Sequence, residues 1–339
     1  MKFVTFGEIM MRLTPSGMTR LVASDSFGAV YGGGEANVAL SLSVLGADAS
    51  YVTKLPQNPL GEAARNYLRR YGVNTEHILF GGNRLGLYFL ERGADKRPAR
   101  VVYDRKGSSI AEAEPTEFDW DSILSGADYF HLSGITPALS DKMAAASLDA
   151  VKAAKRLGVT VSFDPNYRAA LWSLDTAAKT ISKIMPYVDL LITNENQAKD
   201  LFGVAVPQKE ITGDDVSDQG YEALCKALVE KYDLKAVALT ERRTFSANDN
   251  SISAKFYDGE RFVTSLKYRM DIVDRVGGGD AFAAGLLYAL GDNMTAQDAV
   301  DFAAAACCLK HSIEGDANLA TKEEIFALAN GNMNGRTKR

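Results

Sequence analysis

A chain of 339 residues, 46% hydrophobic and 24% charged, has the make-up expected of a soluble globular protein and suits one large α/β domain or two modest ones. Its net charge of −5 offers no basic footprint for nucleic acid or an anionic membrane, and no apolar run reaches the about 20 residues that span a bilayer. The three cysteines, Cys225 and the adjacent Cys307 and Cys308, supply neither a disulfide framework nor zinc-ligand spacing. They read as small buried hydrophobes, and a reducing cytoplasm is the expected setting.

The chain opens on an alternating apolar run at 2–8, a first strand rather than a signal peptide. Gly32-Gly33-Gly34 then leads into a helix that ends near Gly46. A strand at 51–55 and a helix at 60–71, stopped by Gly72, continue a β-α-β-α alternation. Residues 84–104 break it. Two strand-like runs, 85–91 and 100–104, flank a charged connector, Arg92 to Ala99, and predict a hairpin without a helical crossover. Such an insert can cover a site as a lid or form a subunit interface, and lid strands are expected over about 10–35 and 84–105. Its apolar residues on both faces, Leu87, Phe89, Val101 and Tyr103, predict burial of one face on a second copy, hence a homo-oligomer through the lid strands.

From residue 127 the alternation resumes. Strands are expected at 129–132, 159–164, 190–193 and 236–240, with a strand pair near 252–257 and 261–265. Helices are expected at 141–157, 174–185, 195–202, 219–232, 279–290, 295–312 and 321–329. That order predicts an α/β fold with a parallel sheet and helices on both faces. Ligands should collect beyond the carboxyl ends of its strands, where Asp164–Arg168, Thr193–Glu195 and Thr240–Arg242 fall. One domain, 1–330, is expected, with 331–339 a disordered tail.

The most informative stretch is Asp274-Arg275-Val276-Gly277-Gly278-Gly279-Asp280, followed by an Ala/Leu-rich helix. Glycines let backbone N–H groups approach a ligand together, and the helix behind them adds unpaired donors and partial positive charge. The combination makes a phosphate cradle. Asp280 is then a carboxylate where an anion-binding loop least tolerates one, unless it accepts a proton from a nucleophile attacking that phosphate. A glycine turn followed by an Asp helix cap would have the same sequence. No G-x-x-x-x-G-K-[ST] loop, no His-Arg-Asp kinase motif and no G-x-G-x-x-G fingerprint in the first βα turn is present. Three scattered histidines leave metal and triad sites without support.

The Asp274–Phe282 run resembles the C-terminal signature D-x-x-G-A-G-D-x-F of the ribokinase/PfkB-type carbohydrate kinases. Gly-Gly-Gly-Glu-Ala-Asn-Val-Ala at 32–39, with Asn58-Pro59-Leu60-Gly61, resembles the N-terminal signature, about 240 residues upstream (Gly34 to Asp274). Within the family the likeness is greatest to the 2-keto-3-deoxygluconate kinases, through Tyr103–Ser108, His131–Leu139, Phe163–Arg168 and Leu309–Asp316. The resemblance implies a ribokinase-like three-layer α/β/α fold with a mainly parallel central sheet and a small β-strand lid. It also implies that Mg2+ and ATP serve to phosphorylate a sugar acid, 2-keto-3-deoxy-D-gluconate, at its terminal hydroxyl. Asp280 would be the catalytic base and Gly277, Gly278 and Gly279 the anion hole. Gly34, Tyr88, Tyr103, Arg105, Arg168 and Asp316 would meet the substrate, the two arginines at its acid end. Asn194, Thr240, Gly277, Gly279 and Lys310 would meet the nucleotide, and Glu195 the metal, through water. Structural roles compete at several of these: ion pairs for the arginines, sheet packing for the tyrosines, a turn cap for Asp316.

Three positions depart from the family pattern. The N-x-x-E element, which the family ties to magnesium and phosphate, reads Asn194-Glu195-Asn196-Gln197, without the charge at its end. Gly278 stands where the GAGD core has Ala, and Thr240-Glu241-Arg242 lacks a glycine that many relatives have near the nucleotide. The alternatives left open are a kinase for another sugar, fructokinase- or ribokinase-like, and a catalytically weak sugar- or nucleotide-binding regulator.

Overall fold

The computed structural model describes residues 1–212 and 215–332. The first half of the chain contains β1 (Lys2–Phe6), β2 (Met10–Thr14), β3 (Gly28–Gly32), α1 (Gly34–Val44), β4 (Asp48–Leu55), α2 (Pro59–Arg70), β5 (Ile78–Phe80), β6 (Gly86–Glu91), β7 (Arg100–Asp104), α3 (Trp120–Ile123), β8 (Tyr129–Ser133), α4 (Ile135–Ala138) and α5 (Asp141–Arg156). The second half contains β9 (Thr160–Asp164), α6 (Leu174–Ile184), β10 (Leu190–Thr193), α7 (Glu195–Phe202), β11 (Ile211–Thr212), β12 (Asp215–Val216), α8 (Asp218–Tyr232), β13 (Ala236–Thr244), β14 (Asp249–Tyr257), β15 (Phe262–Thr264), β16 (Tyr268–Asp271), α9 (Gly278–Gly291), α10 (Ala296–Lys310) and α11 (Lys322–Ala329).

The main sheet runs β15-β14-β13-β10-β9-β8-β1-β4-β5, with β16 also on β14. From β13 to β5 every pairing is parallel; β14 pairs antiparallel with β13, β15 and β16. Side chains alternate across the sheet. Val4, Phe6, Leu191, Val237 and Leu239 pack with α5 to α8 on one face. Phe3, Leu190, Ile192, Ala236 and Ala238 pack with α1 and α9 to α11 on the other. This is the expected three-layer α/β fold with a mainly parallel sheet. No helix among the described residues is long and apolar enough to cross a membrane.

A second sheet, β3-β2-β6-β7, stands apart from the first. The hairpin expected at 84–104 is its β6–β7 pair, in antiparallel register from Leu87↔Asp104 to Glu91↔Arg100. Four strands were not expected as such: β5, β16 and the two-residue pair β11 and β12. β5 is a three-residue edge strand, and β16 alternates Tyr268 and Met270 with exposed Arg269 and Asp271 over only four residues. Of the tail expected from 331 to be disordered, 333–339 lie outside the described residues.

Arg12 on β2 ties the small sheet to the large one. Its guanidinium, 1% exposed, reaches Asp274 Oδ2 at 2.6 Å and Asp316 Oδ1 at 2.7 Å. Removing one partner of a buried ion pair costs about 3–5 kcal/mol, because the charge left behind has lost its water. Arg12→Met should therefore lower unfolding stability by about that amount in chemical denaturation. A loss below about 1 kcal/mol would show that the cluster does not hold the two sheets together.

Candidate active site

The glycine loop enters α9 as its sequence requires. Gly277 has φ +84°, and a Cβ there would overlap the Asp316 carbonyl, so only glycine fits. Asp274 shapes the approach: its Oδ1 accepts from the Val276 N–H at 3.2 Å, and its Oδ2 accepts from the Gly315 N–H at 3.1 Å as well as from Arg12. The first-turn amides of α9 then have no carbonyl partner inside the helix. Asp280 is not the cap of this helix. Gly277 holds that position without a side-chain cap, and Asp280 lies within the first turn.

The Asp280 carboxylate accepts a hydrogen bond on Oδ2 from Asn37 Nδ2 at 2.7 Å. Loss of water raises its pKa from 3.8 to about 7. Asp164 and Glu35 push the same way, while Asn37 and Arg168 pull it down. A carboxylate that titrates near neutrality is suited to take a proton from an alcohol in the transition state. Asp164 is itself raised to about 6, by burial above all.

Facing Asp280 is the second glycine turn, between β3 and α1. A Cβ on Gly32 would overlap the Asp316 carboxylate and one on Gly33 the Glu8 carbonyl, so the chain can pass there only as glycine. Gly34 is different. The place a Cβ would take lies 3.7 Å from Asp280 Oδ1, 3.8 Å from Asn166 Nδ2 and 3.9 Å from Ser133 Oγ, which leaves a polar hollow open to a ligand hydroxyl. Buried Glu35 holds this turn to β8. Its Oε1 accepts from the Ser133 N–H at 2.9 Å, Ser133 Oγ at 2.7 Å and Thr136 Oγ1 at 2.8 Å.

Both turns open into one cleft of about 1260 Å³, walled by the small sheet on one side and the ends of β9, β10 and β13 on the other. Gly34, Tyr88, Tyr103, Arg105, Arg168, Asn194, Glu195, Thr240, the Gly277–Asp280 loop and Asp316 all line it. Lys310 does not. It is fully buried beneath Gly277, and its ammonium donates to the carbonyls of Asp274 and Ile313, each at 3.2 Å. The expected nucleotide contact through Lys310 is therefore corrected: the lysine braces the loop from behind.

Several lining residues are already engaged. Arg105 Nε donates to Glu8 Oε2 at 2.7 Å, its Nη2 pairs with the same carboxylate, and its guanidinium lies 5.3 Å over the Tyr103 ring. Ser108 Oγ occupies the other Glu8 oxygen at 2.5 Å. The Tyr88 hydroxyl donates to Asp316 Oδ2, so both Asp316 oxygens are occupied, and the residue is 2% exposed. That corrects the turn-cap reading of Asp316 and leaves it anchoring Tyr88 and Arg12. Arg168 is open to the cleft and makes no ion pair among the described residues. Asn194 caps α7, its Oδ1 accepting from the Gln197 N–H at 3.0 Å, and Thr193 Oγ1 donates to Gln197 Oε1 at 3.2 Å.

Asn37, Glu8, Glu35 and Arg12 were not singled out by the sequence. Asn37 had a signal, since it follows the glycine turn by one helical turn; the partners of Arg12 lie 262 and 304 residues away.

The pattern of the pfkB family carbohydrate kinase matches residues 1–322. A 2-dehydro-3-deoxygluconokinase from Thermotoga maritima, solved by crystallography, superposes with a TM-score of 0.93 at 46% identity, over 98% of this chain and 100% of that one. A 2-dehydro-3-deoxygalactonokinase from Haloferax volcanii is 31% identical over 330 residues, 97% of each chain. A 2-dehydro-3-deoxygluconokinase from Thermoproteus tenax is 30% identical over 322 residues, 92% of this chain and 89% of that protein. With a buried carboxylate set in the first turn after a glycine loop and that likeness running the length of the chain, the protein belongs to the pfkB family of carbohydrate kinases and is a sugar kinase.

Proposed function

We propose that this sugar kinase transfers the γ-phosphoryl of ATP to the terminal hydroxyl of a 2-keto-3-deoxy sugar acid, with 2-keto-3-deoxy-D-gluconate the first candidate. The observation that carries the reading is the charge layout around Asp280. Asp280 sits in the first turn behind the glycine loop, and an unpaired guanidinium, Arg168, lines the same cleft near enough to pull the Asp280 pKa down. A neutral sugar gives such a cation nothing to neutralise, whereas a carboxylate matches its fork. The names of the relatives point to the same substrate class. Arg105 contributes less than its position suggests, because Glu8 already offsets its charge.

In the reaction, Asp280 accepts the proton of the attacking hydroxyl while the Gly277–Asp280 amides stabilise charge on the phosphoryl group in flight. Asn37 holds one carboxylate oxygen and so aims the other, Oδ1, toward the Gly34 hollow. Tyr88 and Tyr103, with ring centroids 5.9 Å apart, wall the sugar side and exclude water. Among the described residues no group of three or more His, Cys, Asp or Glu is arranged to hold a metal. Mg2+ draws most of its ligands from water and phosphate oxygens, so the residues fit a metal that arrives with the nucleotide and is met by Glu195. When bound it would neutralise the β- and γ-phosphates.

The second copy expected on the small sheet remains part of this reading. Every residue of β7 is exposed, with Val101, Val102 and Tyr103 each at least 38% accessible, and such an apolar edge strand favours a partner strand. Light scattering should give a multiple of 36.6 kDa; a monomer at every concentration tried would remove the idea.

ADP release with Mg-ATP should be confined to 2-keto-3-deoxygluconate and its galactonate epimer in a panel that also holds gluconate, fructose and ribose. The kcat/KM should climb with pH through about 7 as Asp280 loses its proton. Arg168→Ala should raise the KM for the keto-deoxy acid at least about tenfold, the scale of one lost charge-assisted contact. Turnover on fructose or ribose instead would retain the kinase and discard the acid-binding role of Arg168.

A further inference from the structure

β13 projects Thr240 and Arg242 to the face that also carries Ala236 and Ala238, the face covered by α10. There Arg242 Nη2 meets His311 Nε2 at 3.1 Å. The other ring nitrogen, Nδ1, lies 2.6 Å from the Cys307 carbonyl oxygen. A carbonyl only accepts, so Nδ1 carries the proton and Nε2 is the acceptor for the guanidinium. Burial, then the charge of Arg242, lowers the His311 pKa to about 4, so the imidazole is neutral. Arg242 is thus aimed without being neutralised. Arg243, next on the strand but on the opposite face, pairs with Asp215 at 3.4 Å.

A second free cation lines the same cleft. Arg275 lies two residues before Gly277, is exposed, and lines the same stretch of cleft. Arg242 and Arg275 are near enough to repel, and among the described residues neither forms an ion pair with a carboxylate. The imidazole of His311 also backs the loop itself: a Cβ on Gly278 would overlap its ring. Two unneutralised guanidiniums lining one cleft within reach of each other's charge, with a turn of free N–H groups in the same cleft, are unfavourable until a polyanion arrives.

We propose that Arg242 and Arg275 form a guanidinium clamp on the polyphosphate of the bound nucleotide, with His311 as the positioning residue for Arg242. The proposal rests on sugar-kinase chemistry but not on the choice of sugar. It also gives a reason for Gln197: where part of the phosphate charge is met by arginine, less of it has to be met through a carboxylate-held metal.

The test is calorimetric binding, without sugar, of ADP, a non-hydrolysable ATP analogue and adenosine. Arg242→Met and Arg275→Met should each weaken the ATP analogue about tenfold, weaken ADP less, leave adenosine unchanged, and flatten the salt dependence of binding. His311→Gln, which keeps an acceptor for Arg242, should retain more affinity for the analogue than His311→Leu. Unchanged affinity for the analogue in both arginine variants would overturn the clamp, as would an equal loss for adenosine, which points to a damaged fold. Equal losses in the two His311 variants would overturn its positioning role. Wild-type protein that binds no nucleotide would instead count against the kinase chemistry itself.

Discussion

In the proposed mechanism a carboxylate in the first turn of an anion-binding helix opposes the ligand it must help to react, and the contacts around Asp280 bear on that conflict. Removing water from the site makes the charged form costly, which is why the group titrates near neutrality and not near 4. The same dehydration strengthens every N–H directed at a phosphoryl group. Neither effect survives if the turn relaxes. Asp274, Arg12, Asp316 and the Lys310 ammonium fill the space behind it with charges that satisfy one another, while Asn37 fixes the carboxylate from the front.

That packing also explains how a sheet built from the first third of the chain comes to act on a loop near the end. Arg12 and Tyr88 belong to the small sheet, and both end on Asp316. The hollow at Gly34, Asp280 and the small sheet are thereby fixed relative to one another by short polar contacts. Around the base the free positive charge is split. Arg168, Arg242 and Arg275 all line the cleft; in the proposed reading the first meets the sugar acid and the other two the nucleotide, which would match the cleft to anionic groups on both sides of Asp280.

How much of this the sequence showed depends on the range of the physics involved. The parallel strands, the helices between them, the glycine turns and the β6–β7 hairpin follow from local periodicity and turn chemistry, and they were legible. Strands β5, β11, β12 and β16 were not, because runs of two to four residues are too short for a period to stand out. At the site, Asp280 stood out because it contradicted its own loop. Lys310 was misjudged for the opposite reason, and Arg105 was read without its partner. Residue type gave their charge but not their partners, and the carbonyls behind Gly277 and the Glu8 carboxylate decide where those charges point. Asn37 and Arg12 act across 243 to 304 residues of chain, a separation that no local pattern reports.

The claim on which the rest turns is that Asp280 is the base, and the direct measurement is turnover of Asp280→Asn set beside its ligand binding. Asn keeps the size of the side chain and an acceptor for Asn37 but cannot take the proton. The account predicts a fall in kcat of about three orders of magnitude or more, at the upper part of the range for a positioned base, with affinity for sugar and ATP within a few-fold of wild type. Near-normal turnover, or a loss explained entirely by weakened binding, would contradict it.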